Sequence, residues 1–92
     1  MDTFAKIVVK IIEQQEGIIG PIALEQAQKV SGLSVNWQNH EVQLMGDEKE
    51  VVNHLVSQYE HLFGKASVEV CREAVKEMLA DLPENRRPEA LQ

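Results

Sequence analysis

The sequence predicts a mainly helical α+β domain in which two helix–glycine–helix hairpins are joined by a small antiparallel β-hairpin. Three observations carry this expectation. Apolar residues recur at helical spacing in four segments and alternate at period two in one central segment. A helix–glycine corner also occurs twice, 44 residues apart.

The 92 residues suffice for one domain, expected over residues 1–82. A chain of this size buries roughly 60–65% of its unfolded surface, so its core is thin. The first helix, about 3–19, places Phe4, Ile7, Val8, Ile11 and Ile12 on one face. Asp2 or Thr3 can cap it, because a side-chain oxygen satisfies a free amide of the first turn. Gly20-Pro21 ends it, and proline suits the first position of the next helix, about 21–31. That helix carries Ile22, Leu24, Ala27 and Val30 and stops at Ser31-Gly32.

Over 33–45 the period changes to two. Pairing Trp37 with Val42 and Val35 with Leu44 puts the apolar side chains on one face and leaves Asn39-His40 as a two-residue turn. Gly46 breaks the strand, and Asp47 with Glu50 resembles a capping box. The third helix, about 47–63, has the stripe Val51, Val52, Leu55, Val56, Tyr59, Leu62 and Phe63. After Gly64 the fourth, about 65–81, carries Val68, Cys71, Val75, Met78 and Leu79. Residues 83–92 hold two prolines and little apolar content, which predicts a flexible tail.

The two copies align at Gln14/Gln58, Glu16/Glu60, Gly20/Gly64 and Glu25/Glu69. Apolar residues match at Ile7/Val51, Val8/Val52, Ile11/Leu55, Ile12/Val56, Ile18/Leu62, Ile19/Phe63, Leu24/Val68 and Ala27/Cys71. A pseudo-twofold relation between the helical halves is therefore expected.

A formal net charge of −6 disfavours general nucleic-acid binding and anionic membranes, since both rely on Lys and Arg. Cys71 stands alone, so no internal disulfide is expected. Asp2, Lys6 and Lys10 are unlike a signal peptide, and no apolar run spans a bilayer; a reducing cytoplasm is the expected compartment.

No catalytic, cofactor or metal residues are expected. Glu13-x-x-Glu16 lacks the Glu-x-x-His of di-iron bundles, and Glu25 and Glu69 fit helix starts, where the dipole favours negative charge. His54 and His61 lie about 10 Å apart along a helix, too far to share an ion. Cys71 fits a small buried filler better than a nucleophile.

The stretch 22–45 also resembles the start of a helix-turn-helix DNA reader. Its residues 30–47 contain no Lys or Arg, and its second half alternates at period two. The leading expectation is a small non-enzymatic protein-interaction or regulatory module that self-associates as a homodimer. A lone two-stranded sheet leaves open edges. Val35, Trp37, His40, Val42 and Leu44 are the expected contact residues, provided the helices leave that face uncovered. The alternatives are a hairpin that merely caps the core, the DNA-binding regulator, and a sensor with an apolar inter-helix pocket.

Overall fold

A computed structural model describes residues 2–92. The elements run α1 (Thr3–Ile19), α2 (Ile22–Ala27), β1 (Leu33–Asn36), β2 (Glu41–Leu44), α3 (Glu48–Phe63) and α4 (Lys65–Leu79). The strands form one antiparallel two-stranded sheet. This is the mainly helical α+β arrangement that the periodicities predict.

Both long first helices start on an aspartate. Asp2 accepts the Ala5 amide at 2.9 Å, and Asp47 accepts the Lys49 and Glu50 amides at 3.1 and 3.4 Å. Each ends on the same glycine corner. Gly20 (φ 73°, ψ −153°) and Gly64 (φ 81°, ψ −174°) occupy a backbone region open essentially to glycine alone. The Gly20 amide bonds Glu16 O at 2.9 Å and the Gly64 amide bonds Glu60 O at 2.8 Å. The two glycine carbonyls accept the Ala23 and Ser67 amides at 3.0 and 3.1 Å. A Cβ would meet nothing within 4 Å at either site, so the backbone angle, not space, demands glycine.

The core follows the repeat. Ile7, Val8, Ile11 and Ile12 are buried in one half, and Val51, Val52, Leu55 and Val56 at the matching positions in the other. Two polar side chains, Gln15 and Tyr59, also match at the 44-residue offset and are also buried. Gln15 Nε2 donates to Ser67 O at 3.1 Å, and the Tyr59 hydroxyl donates to Ala23 O at 2.7 Å. Ser67 is the counterpart of Ala23. Each half thus pins its first helix to the second helix of the other, α1 to α4 and α3 to α2. This reciprocity is what the expected pseudo-twofold between the halves implies, although α2 is much shorter than α4.

Three features differ from expectation. α2 ends at Ala27 rather than residue 31, because the chain tightens there: the Lys29 amide reaches Gln26 O at 3.2 Å and the Val30 amide reaches Ala27 O at 3.1 Å. Gly32 then brings the chain against the Met45 carbonyl, where a Cβ would lie at 2.9 Å.

The β register is Leu33↔Leu44 and Val35↔Val42, two residues from the expected pairing. The shift is even, so the apolar residues keep their common face. It arises because Trp37 leaves the ladder for a 3-10 turn over Trp37–Asn39, closed by His40 in the left-handed region (φ 51°).

Residues 83–92, expected as a flexible tail, pack onto α3 instead. Pro88 and Leu91 are fully buried. Asn53 clamps the segment from both sides: its Oδ1 accepts the Ala90 amide at 3.0 Å and its Nδ2 donates to Glu89 at 2.7 Å. Arg87 caps the end of α4, donating to Leu79 O and Leu82 O at 2.9 and 3.1 Å. The two prolines preset turn geometry, and one buried leucine with a polar clamp holds a segment that has few apolar residues.

Candidate interaction surfaces

The hairpin is positioned by its apolar face. Val42 is buried, while Val35, Trp37 and Leu44 are half-buried and pack on the helical core; β2 lies against α1. These four expected contact residues therefore pack against the core on one side, and Val35, Trp37 and Leu44 keep part of their surface in solvent. The hairpin caps the core. His40 alone remains exposed.

The tip is held by two carboxylates one turn apart on α1. Trp37 Nε1 donates to Glu16 Oε2 at 3.3 Å, and His40 Nδ1 lies 3.0 Å from Glu13 Oε2. The Trp37 and His40 rings stack, with centroids 4.1 Å apart and planes 14° from parallel. Glu13 and Glu16 thus serve the hairpin. No local spacing rule shows this, because the partners lie 21 and 27 residues away.

Residues 33–44 form strands around one short turn, so the second helix that a helix-turn-helix reader needs is missing there. Among the described residues no three His, Cys, Asp or Glu side chains gather as a metal site. His54 faces Glu50 at 3.9 Å, and Gln58 Nε2 donates to Gln26 Oε1 at 2.6 Å across α3 and α2. Cys71 is buried with Gln15 Nε2 3.3 Å from its sulfur; burial pushes its thiol pKa up, so the thiolate is disfavoured. Burial likewise raises Tyr59 well above the usual phenol range. Glu89 is held down to about 2, chiefly by its hydrogen bond from Lys49, with which it pairs at 2.7 Å. No described helix is long and apolar enough to cross a membrane.

A different surface is left apolar. Ile18 is 61% exposed, Leu62 46%, Ile22 38% and Phe63 37%. All four belong to the glycine corners, and Ile18/Leu62 is a repeat pair. A cavity of about 110 Å³ lined by Ile18, Ile19, Phe63 and Ala66 brings the two corners side by side. Ile18 and Phe63 meet there, with Ile22 and Leu62 close to them in the chain at the same corners. Periodicity assigns Leu62 and Phe63 to a buried stripe, but at a helix end the chain turns away before anything covers them. The repeat was the available signal, since two corners related by a pseudo-twofold expose the same positions together.

Comparisons of the chain with protein-family models, with curated proteins and with solved structures found no match.

Proposed function

We propose that this protein is a non-enzymatic interaction module that self-associates through the apolar end built from its two glycine corners. The observation that carries the reading is the exposure of Ile18, Ile22, Leu62 and Phe63 at the two glycine corners, which a shared cavity brings together; among the described residues the remaining exposed large apolar side chain, Met45, follows β2 in the chain. Contiguous exposed apolar patches on small proteins mark contact sites. A second copy suits this patch because an isologous dimer joins equal surfaces across a twofold, and Ile18 and Leu62 are a repeat pair, one at each corner.

The buried, protonated character of Cys71 and Tyr59 also favours a binding role over a catalytic one, because neither group is presented to a substrate. Acidic side chains near both corners, Glu25 and Glu60 among them, are exposed. Two such ends repel at low ionic strength, so added salt should tighten the dimer.

Light scattering coupled to size exclusion tests the reading. The wild-type chain should pass from monomer to dimer with rising concentration. Leu62→Asp and Ile18→Asp should remain monomeric with an unchanged circular dichroism spectrum, because both side chains are already exposed. A wild-type chain that stays monomeric throughout would remove the proposal.

A further inference from the structure

The cavity of about 110 Å³ between the glycine corners has apolar walls from three helices. Ile18 and Ile19 come from α1, Phe63 from α3, and Ala66 and Val70 from α4. Ile18 and Ala66 are exposed, so the cavity opens to solvent on their side. The repeat accounts for the space. At the equivalent positions 44 residues away, Tyr59 stands for Gln15 and Ile22 for Ala66. One half carries a buried ring and a branched chain where the other has a slimmer amide and a methyl group.

Two polar side chains, Gln15 and Ser67, also line the cavity. The Gln15 Nε2 group is engaged, with Ser67 O at 3.1 Å and the Cys71 sulfur at 3.3 Å. The Ser67 hydroxyl is not. It is buried, in a residue only 6% exposed, and has no hydrogen-bond partner. A helical serine commonly bonds a carbonyl one turn back, and this one does not. Its counterpart, Ala23, has a methyl group that needs no partner. A buried hydroxyl left unpaired is costly, so its presence beside unfilled apolar space points to a missing partner. Because nothing holds the Ser67 side chain, it can turn to another staggered rotamer without breaking a hydrogen bond.

We propose that this cavity binds a small neutral molecule, a single ring bearing one hydroxyl or carbonyl oxygen, with the ring on Ile18, Ile19, Phe63 and Val70 and the oxygen on the Ser67 hydroxyl turned towards it. Apolar walls with few polar groups are the usual form of a small-molecule site. Size sets the single ring, since a closed apolar cavity of roughly 150 Å³ takes benzene. Charge sets neutrality. Among the described residues lining the cavity none is charged, and an ion placed there would lose hydration without gaining a partner. Water would satisfy the hydroxyl but leave the apolar wall around it uncovered. The cavity shares Ile18 and Phe63 with the self-association surface, yet its binding does not require a dimer.

Phenol is the probe, with toluene as the twin that lacks the oxygen and benzoate as the charged twin. Titrations are followed by amide chemical shifts on the Leu62→Asp chain, whose altered residue does not line the cavity, so that ligand binding and self-association are read separately. Phenol should shift Gln15, Ile19, Ala66 and Ser67, and benzoate should not. Ser67→Ala should weaken phenol about fivefold, the worth of one hydrogen bond, and leave toluene unchanged. The same variant should melt at or above its parent, because the unpaired hydroxyl is gone. Ala66→Ile installs the side chain of the other copy and should abolish binding of both rings. Absence of shifts at the cavity with phenol would overturn the proposal. So would phenol binding that is indifferent to Ser67→Ala or falls no more than toluene binding, benzoate binding equal to phenol, or full binding by a folded Ala66→Ile chain.

Discussion

Tyr59→Phe isolates the reciprocal pinning of the two halves. The substitution keeps the ring, leaves no appreciable cavity and removes only the hydroxyl that donates to Ala23 O at 2.7 Å in a fully buried site. A typical hydrogen bond contributes about 0.5–1.5 kcal/mol net, and leaving a buried partner unsatisfied costs about 1–3 kcal/mol. Here the acceptor is a helical carbonyl whose other lone pair is free for the amide four residues on. The expected loss is therefore in the lower part of that range, about 1–2 kcal/mol. For a domain of this size, that lowers Tm by roughly 5–15 °C. Gln15→Leu should lose a similar amount, because its amide donates to the equivalent carbonyl of Ser67. Urea titrations should show lower midpoints with unchanged slopes, since the exposed surface on unfolding stays the same. If Tyr59→Phe melts with the wild type or above it, the halves are not held together in this way.

Other outcomes follow from the same contacts. Tyr59 and Cys71 both have raised folded pKa values, so the unfolded chain gives up these protons first as pH rises. Their contribution is complete below the unfolded thiol value of 9.0 and declines above it, and alkaline melts of Tyr59→Phe should decline less steeply. Cys71 should react with a thiol reagent only through opening of the fold, at a rate that increases with denaturant. Glu89 has a lowered pKa, so its pairing is present above the unfolded carboxyl range and is lost as pH falls towards 2; Lys49→Met should flatten that acid limb. Leu91→Ala should cost about 2–4 kcal/mol, as a core leucine does, whereas a flexible tail would register no change.

The helices, the glycine corners and the strand segment were legible because they rest on local rules. Helical spacing, Asp capping at Asp2 and Asp47, and glycine's access to positive φ at Gly20 and Gly64 each act within a few residues. The hairpin register was not legible. Alternation specifies the face but not the pairing, and the two-residue shift is made by Trp37 leaving the ladder for Glu16 and His40. The packing of the final ten residues was hidden for a similar reason. Leu91 is one apolar residue in a polar run, and Asn53, which clamps its neighbours, lies in another helix. Of the expected contact residues, Val35, Trp37, Val42 and Leu44 face the core. A thin core draws on every apolar face it can reach, and the sheet lay within reach. The corners did not, so Ile18 and Leu62 stay in solvent.

Sedimentation equilibrium of the intact chain at low and high salt tests the interaction reading most directly. A monomer–dimer equilibrium that tightens with salt and disappears in Leu62→Asp is expected. A single monomeric species at every concentration and salt, or a dimer indifferent to Leu62→Asp and Ile18→Asp, would contradict it.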